Sequence, residues 1–325
     1  MSGRPRILAA RRLPDNVTAR LEHDYDATLN PVDEVLDTDE LVARAAGHGG
    51  LIIANTEQVD ASVVAALPES VRIIATFSVG YEHIDVDAAS ARGITVTNTP
   101  DVLTDATADV TMLCLLGAAR RATESLLTVR EHRWTGWTTT MLLGTHVTGK
   151  RIGIFGMGRI GQALARRARG FDMQVHYLNR RRLPPEVEGD ATFHDDEASF
   201  LANCDFLCLN APSTPATIGY LNAARIAQLP DGAVVVNTAR GNLVDDEALL
   251  AALKSGKVAA AGLDVFNGEP RLHPEYQTMM NVFALPHVGS ATVETRDAMG
   301  FVCLDNLDAY FTGQPVPNAL AALPR

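Results

Sequence analysis

Residues 150–171, KRIGIFGMGRIGQALARRARGF, constrain the fold more than any other part of this 325-residue chain. An apolar run leads directly into a G-x-G-x-x-G pattern, and a helix-forming stretch follows it. In that pattern the first glycine permits a tight turn, the second lets the backbone approach a pyrophosphate, and the third lets helix and strand pack closely. A second apolar run ends at residue 179, which completes a strand, turn, helix and strand. We therefore predict a dinucleotide site at the helix N-terminus, contacted by Gly156, Gly158, Arg159, Ile160 and Gly161.

The second apolar run, MQVHYLN, ends in Asn179 and is followed by three consecutive arginines in a chain of net charge −11. A coenzyme without a 2′-phosphate favours Asp or Glu at this position, because a carboxylate binds the ribose hydroxyls. An amide can instead donate to a phosphate, and guanidinium groups pair with it. We predict that Asn179, Arg180 and Arg181 contact the 2′-phosphate, so that NADP(H) is preferred and NAD(H) is possible. A solvated basic turn is the alternative, and Arg182 is assigned no role.

Short apolar runs alternate with helix-like segments along the whole chain. A first series lies at 6–10, 25–30, 50–54, 72–77 and 94–98, with helices expected at 38–46 and 60–66. A second series lies at 150–158, 173–179, 204–212, 232–240, 259–266 and 282–287. This rhythm is typical of parallel sheets with helices on both faces, and the length fits two domains. The predicted fold class is α/β with two doubly wound parallel-sheet domains.

Two further segments set the expected domain boundaries. Residues 102–131 form a largely apolar stretch that predicts one long helix, and residues 290–311 have helical spacing. If the last helix returns to the first domain, that domain comprises 1–101 and 290–325, and the other comprises 102–289. The apolar character of 102–131 and the loop carrying Trp134 and Trp137 also predict a homodimer.

The composition of the chain limits the kinds of partner that it is expected to bind. A pI of about 5.3 gives no general attraction to nucleic acid or to anionic membranes. The apolar run at 7–10 is too short for a secretory signal, and no run approaches the roughly 20 residues of a membrane span, so we expect a cytoplasmic protein. The four cysteines form no C-x-x-C pair and are expected to be reduced and buried. No His/Cys spacing supports a metal site.

Three polar residues follow apolar runs of the second series: Arg240, Glu269 and His287. We expect them to converge, because the carboxyl ends of parallel strands line one crevice. Arg240 could clamp a carboxylate and polarise the adjacent carbonyl, while Glu269 could hold His287 and raise its pKa. Protonated His287 could then give a proton to a carbonyl oxygen as hydride reaches the carbon. Each of these three residues, taken singly, can be interpreted as an ordinary loop residue. Their occurrence together after a dinucleotide-binding loop favours a catalytic role.

In the first series, the run ending at 77 leads into Ser78-Val79-Gly80. Such a loop leaves backbone N–H groups available for a small anion such as a carboxylate. An ordinary strand-to-helix turn is an equal alternative from these residues alone.

The chain resembles the D-2-hydroxyacid dehydrogenases over essentially its whole length. The matching stretches are SVGYEHID, NTPDVLTDATAD, GMGRIGQALARR, LNAPSTPAT, VVVNTARGNLVDDEAL, AAGLDVFNGEP and LPHVGSAT. The resemblance implies a flavodoxin-like substrate domain, a Rossmann-type coenzyme domain and a homodimer held largely through the coenzyme domains. It implies Arg240, Glu269 and His287 as the catalytic set, and Val79, Gly80, Arg240 and Ser290 as substrate-binding residues. It adds as coenzyme contacts Thr107, Pro212, Thr217, Thr238, Asp264 (for the nicotinamide carboxamide) and Gly289.

Within that family the sequence most resembles the glyoxylate and hydroxypyruvate reductases, through WTGWTTTMLLG, the AAGLDV-x-x-x-EP run and LPHVGSAT. The expected function is an NADPH-preferring reduction of small 2-keto acids to 2-hydroxy acids. One alternative is an NADH-linked D-2-hydroxyacid dehydrogenase acting on other 2-keto acids. Another is a coenzyme-sensing binding protein similar to the C-terminal-binding corepressors, which would be expected to carry a peptide cleft or long disordered tails.

Overall fold

The structure, a computed structural model, describes residues 3–320. The chain divides into two compact units, Met1–Leu103 with Ala291–Arg325 and Thr104–Ser290. Each unit contains one sheet in which all strand pairs are parallel, which confirms the predicted α/β class.

Within residues 3–320, the first unit has five strands in the order β2-β1-β3-β4-β5, which is the flavodoxin-like order. The strands are β1 (Arg6–Ala9), β2 (Asp26–Thr28), β3 (Gly50–Ile53), β4 (Ile73–Thr76) and β5 (Thr95–Thr97). The helices are α1 (Asp15–Asp24), α2 (Thr38–Arg44), α3 (Ala61–Ala66) and α4 (Val86–Ala91). Helices α2 and α3 begin where the side chains of Asp37 and Asp60 accept hydrogen bonds from first-turn N–H groups.

The second unit has seven strands in the order β12-β11-β10-β9-β6-β7-β8, with the reversal of a Rossmann-type sheet at β6 and β9. The strands are β6 (Arg151–Phe155), β7 (Gln174–Leu178), β8 (Thr192–His194), β9 (Phe206–Leu209), β10 (Ala233–Asn237), β11 (Val258–Leu263) and β12 (Val282–Ala284). The α-helices are α5 (Thr104–Ala119), α6 (Ala122–Arg130), α7 (Arg159–Arg169), α8 (Pro185–Glu188), α9 (Glu197–Ala202), α10 (Ala223–Ile226) and α11 (Asp246–Ser255). Short 3-10 turns lie at Gly241–Leu243 and Pro274–Gln277.

The last helix, α12 (Val293–Phe311), belongs to the first unit and packs against α1 and β4. It lies on one face of the sheet, where its Leu304 and Leu307 share a core with Ile52. Leu51 and Ile53 alternate with Ile52 along β3 and enter the core on the opposite face. Successive side chains of a strand point to opposite faces of the sheet, and these apolar residues are therefore buried on both faces.

The predicted single helix over 102–131 is wrong, because the structure breaks it between Ala119 and Ala122. Arg121 adopts the left-handed conformation, with φ of 53°, and its guanidinium bonds to Glu124 at 2.6 Å. The carbonyl of Ala119 accepts from the N–H of Thr145 at 2.8 Å rather than from the next helical turn. A distant residue therefore satisfies the terminal carbonyl of α5, which a continuing helix would have used.

The four cysteines are buried and unbridged, as predicted. Burial raises the pKa of the Cys114 thiol to about 12, with a smaller contribution from Asp264. Within residues 3–320, no helix is long and apolar enough to cross a bilayer. The same residues contain no group of three or more His, Cys, Asp or Glu side chains arranged to hold a metal ion.

Candidate active site

His287 and Glu269 form a hydrogen-bonded pair in the second unit. His287 follows β12 and Glu269 follows the neighbouring β11, and Nδ1 of His287 lies 2.7 Å from Oε2 of Glu269. The other carboxylate oxygen of Glu269 accepts from the N–H of Phe266 at 2.7 Å. The carboxyl ends of parallel strands meet at one edge of a sheet, and this explains why residues distant in sequence come into contact.

The Glu269 carboxylate is kept ionised by its neighbours. Burial alone would raise its pKa, but the hydrogen bond and charge of His287, the Phe266 N–H and the Arg240 guanidinium together hold the pKa below its usual value. An ionised carboxylate accepts from Nδ1–H of the imidazole, so the second nitrogen, Nε2, is the one left for proton exchange. The pair is thus arranged for acid-base chemistry at a single defined atom.

The loop that carries His287 is fixed by Asp264, which is 1% exposed. The N–H of His287 donates to the Asp264 carbonyl at 2.9 Å. The N–H groups of Val288 and Gly289 donate to the two carboxylate oxygens of Asp264, each at 2.8 Å. His287 itself has φ of 55°, an unusual conformation for a residue with a Cβ. Burial raises the pKa of Asp264, while the Val288 N–H and the charge of His287 oppose that shift.

Arg240 lies in a turn after β10 that Asn237 shapes. The side-chain amide of Asn237 donates to the carbonyl of Arg240 at 2.8 Å, and its oxygen accepts from the Ala239 N–H at 3.1 Å. Asn237 is 1% exposed, so the turn is held from inside the unit. Asn237 is a support not predicted from the sequence, although an Asn at the end of a strand is typical of such a turn.

The three glycines of the loop between β6 and α7 differ in the room that a Cβ would have. A Cβ on Gly156, whose φ is 96°, would lie 2.6 Å from the Ala211 nitrogen, and one on Gly161 would lie 2.5 Å from the Gly156 carbonyl oxygen. A Cβ on Gly158 would meet nothing within 4 Å. Two glycines are therefore needed for close packing within the protein, and the third opens the loop to an approaching group, as a pyrophosphate needs.

The turn after β7 contains Asn179 and the arginines. The N–H of Met157, inside the glycine loop, donates to Oδ1 of Asn179 at 2.7 Å, so the two candidate coenzyme segments are joined. Arg180 and Arg181 are exposed and have no ion pair within the described residues. Arg182 instead pairs with Glu188 at 2.9 Å.

In the first unit, the loop after β4 has its carbonyl groups occupied and its N–H groups available. The carbonyl of Ser78 accepts from the Thr99 N–H at 2.9 Å, that of Val79 from the Asn98 amide at 2.8 Å, and that of Gly80 from the Ser78 hydroxyl at 2.6 Å. Among residues 3–320, the N–H groups of Val79 and Gly80 find no acceptor. A loop that presents only donors is suited to an anion.

Comparison with known proteins agrees with these features. Residues 112–289 match the D-isomer specific 2-hydroxyacid dehydrogenase, NAD binding domain. The chain is 44% identical to glycerate dehydrogenase of Hyphomicrobium methylovorum over 97% of this chain and 99% of that protein. It is 39% identical to glyoxylate reductase of Thermococcus litoralis over 97% and 96%. The chain belongs to the D-isomer specific 2-hydroxyacid dehydrogenase family.

This family comprises NAD(P)-dependent oxidoreductases, so the chain is an enzyme of that class. Among solved structures it is similar to an NADPH-dependent glyoxylate/hydroxypyruvate reductase of Sinorhizobium meliloti, in complex with NADP and malonate. The TM-score is 0.88 and the identity 35%, with 98% of this chain and 97% of that chain covered.

Other residues predicted for this dehydrogenase's site are placed in three groups. Thr107 and Thr238 are joined through Thr111, whose hydroxyl contacts the Thr107 carbonyl at 2.8 Å and the Thr238 hydroxyl at 2.7 Å. Thr217 bonds to the carbonyl of Pro212 at 2.7 Å and thereby shapes the loop after β9. Gly289 lies beside Asp264, and half-buried Ser290 follows it. Asn98, Asn237 and Glu188 are structural supports that were not predicted from the sequence.

Proposed function

We propose that this enzyme is an NADPH-preferring reductase of small 2-keto acids, glyoxylate and hydroxypyruvate, and that it produces the corresponding 2-hydroxy acids. The observation that carries the proposal is the His287–Glu269 pair on a loop tethered to Asp264. The names of the relatives, glycerate dehydrogenase and glyoxylate reductase, support the substrate class. Exposed Arg180 and Arg181 after Asn179 support the coenzyme preference.

Each residue has a distinct role in this reaction. The bound nicotinamide coenzyme supplies hydride to the carbonyl carbon. The glycine loop, Asn179 and the two exposed arginines would hold the phosphates of the coenzyme. Other parts of the coenzyme would be contacted by Thr107, Pro212, Thr217, Thr238, Asp264 and Gly289. His287 gives a proton from Nε2 to the carbonyl oxygen, and the ionised Glu269 stabilises the imidazolium before that transfer. In the reverse direction, neutral His287 accepts the hydroxyl proton.

The substrate carboxylate needs positive or N–H partners. We assign this role to the Arg240 guanidinium and to the backbone N–H groups of Val79 and Gly80, with Ser290 as a further substrate contact. We accordingly propose that the first unit is the substrate domain and the second the coenzyme domain, with the boundaries predicted from sequence at 1–101 with 290–325 and at 102–289. The compact units of the structure divide after Leu103 and after Ser290.

We further propose a homodimer. Residues 131–146 contain no regular element, and several of their apolar side chains are exposed, with Trp134 at 59%, Trp137 at 76% and Leu143 at 64%. Helix α6 also has no buried residue. Exposed large apolar side chains concentrated in one segment favour an interaction site.

The proposal is tested by initial rates with glyoxylate, hydroxypyruvate, pyruvate and a branched 2-keto acid, each with NADPH and with NADH. We expect the highest kcat/KM for glyoxylate or hydroxypyruvate with NADPH. A higher kcat/KM with NADH for pyruvate or the branched acid would replace it by the NADH-linked alternative. Coenzyme binding without turnover of any keto acid would instead indicate a binding protein.

A further inference from the structure

The turn that carries the three arginines is anchored at both of its ends. At its start, Asn179 accepts from the Met157 N–H of the glycine loop. At its end, the hydroxyl of Tyr177 accepts from the Leu183 N–H at 3.0 Å and donates to Glu188 at 2.8 Å. Tyr177 is fully buried, so the second anchor reaches into the core of the coenzyme-binding unit.

Glu188 is the centre of that second anchor. Its side chain is 5% exposed, and its oxygens accept from Nε of Arg182 at 3.0 and 3.1 Å and lie 2.9 Å from Nη2. Hydrogen bonds from Arg182 and Tyr177 hold the pKa of Glu188 below its usual value, so the carboxylate is ionised. All three arginines are exposed, but the third is fixed as the counter-charge of a buried acid, while the first two have no ion pair within the described residues.

We propose that Glu188 and Tyr177 are positioning residues for coenzyme specificity, which hold the turn so that Arg180 and Arg181 are presented to the 2′-phosphate. This inference rests on the proposed preference for NADPH. It also gives Arg182 a function, because an unneutralised carboxylate on this turn would repel a phosphate dianion. Glu188 and Tyr177 would act on the orientation of the turn. The orientation of the turn determines how much the two guanidinium groups contribute to phosphate binding.

The experiment measures equilibrium dissociation constants for NADP⁺ and NAD⁺ by titration calorimetry, with thermal midpoints as a check of folding. The variants are Glu188→Gln and Tyr177→Phe, the second of which keeps the buried ring and removes only the hydroxyl. We expect NADP⁺ binding to weaken by about three- to tenfold, less than the loss of a whole charge-assisted bond, with NAD⁺ binding changed less than about twofold. Asp190→Asn is the matched control, because Asp190 pairs with Arg169 at 2.6 Å and does not contact Tyr177 or Arg182.

Equal weakening of both coenzymes, or no change in either folded variant, would overturn the inference. If Glu188→Gln does not fold, Tyr177→Phe alone decides. The double variant Arg180→Ala with Arg181→Ala separates this inference from the function on which it rests. If that variant leaves NADP⁺ binding unchanged, the proposed coenzyme preference fails. If it weakens NADP⁺ binding while both anchor variants do not, only the positioning role fails.

Discussion

Nδ1 of His287 lies 2.7 Å from Oε2 of Glu269, and this contact determines which nitrogen of the imidazole can exchange a proton. The carboxylate is ionised because His287 and Arg240 outweigh the effect of its burial. Asp264 adds a second constraint, since it binds the backbone on either side of the ring's attachment point. These two acids fix the orientation of the imidazole and the loop that carries it, which is the arrangement that the proposed proton transfer at Nε2 requires.

The first prediction concerns the proton donor. His287→Ala should lower kcat by roughly 10²- to 10⁴-fold, the usual contribution of a general acid, while coenzyme binding is retained. Steady-state kinetics with glyoxylate together with coenzyme titration would measure both quantities. His273→Ala is a suitable control, because His273 pairs with Glu247 at 3.3 Å elsewhere in the same unit. Near wild-type turnover in His287→Ala would show that the proton comes from another group.

The second prediction concerns the loop at residues 78–80. Asn98 is 8% exposed and donates to the Val79 carbonyl, so Asn98→Ala should let that carbonyl turn toward the anion site. One hydrogen bond contributes about 0.5–1.5 kcal/mol, and KM for the 2-keto acid should therefore rise by about two- to tenfold. The dissociation constant for the coenzyme should stay unchanged. Parallel loss of coenzyme affinity would mean that Asn98 supports the fold generally.

These two sites show what sequence can predict. Strands such as β3 and β10 were predictable because continuous apolar runs bounded by polar residues are typical of buried parallel strands. Residues at their carboxyl ends were predictable for the same reason, since topology alone brings them to one edge of the sheet.

Other features depend on distant partners. No Gly or Pro lies between Ala119 and Ala122 to mark the break, and the Ala119 carbonyl is satisfied there by the distant Thr145 N–H. The three-residue edge strand β8 is too short to show a period. The roles of Asn98 and Glu188 follow from the groups that their side chains contact. No local sequence pattern predicts such contacts.

The third prediction concerns assembly. Light scattering at micromolar concentration should give twice the single-chain mass of 34.8 kDa. Trp134→Ser with Trp137→Ser should shift the protein toward the monomer, because aromatic side chains contribute strongly to interfaces. Val32→Ser with Val35→Ser removes exposed apolar residues from the first unit and should leave the mass unchanged. A wild-type mass near 34.8 kDa would contradict the dimer.

The fourth prediction concerns stability against pH. Nδ1 of His176 lies 2.9 Å from Nε2 of His194, whose Nδ1 lies 2.9 Å from the Ser199 hydroxyl. Burial lowers the pKa of both histidines, with the charges of His194 and Arg151 adding to the effect at His176. The folded state therefore binds fewer protons than the unfolded state, and stability is full above pH 6.5 and falls as the pH drops below that value.

Urea unfolding between pH 7.5 and 5 would measure this loss. His176→Gln should reduce the slope of the free energy of unfolding against pH. His23→Gln provides the control, because the side chain of His23 is 82% exposed. Burial also lowers the pKa of His48. The His176→Gln variant should therefore keep some pH dependence of the free energy of unfolding, with the same sign. A wild-type stability that rises on acidification in this range would contradict the assignment.

The fifth prediction concerns coenzyme choice. In Asn179→Asp with Arg180→Ala, the new carboxylate can still accept from the Met157 N–H, so the glycine loop should keep its conformation. The carboxylate would repel a 2′-phosphate and suit ribose hydroxyls, while one guanidinium partner is lost. Charge-assisted hydrogen bonds contribute roughly 1.5–3 kcal/mol, so KM for NADPH should rise by about ten- to a hundredfold. KM for NADH should stay constant or fall.

Salt provides an independent check of the same contacts. Arg180 and Arg181 are exposed, so their attraction to a phosphate is partly screened, and the wild-type preference for NADPH should weaken as ionic strength rises. The double variant should show little of this salt dependence. Arg72→Ala removes an exposed arginine from the other unit and should leave both KM values unchanged. If the double variant alters KM equally for the two coenzymes, the arginine cluster is a solvated turn, because a group that reads the 2′-phosphate must distinguish them.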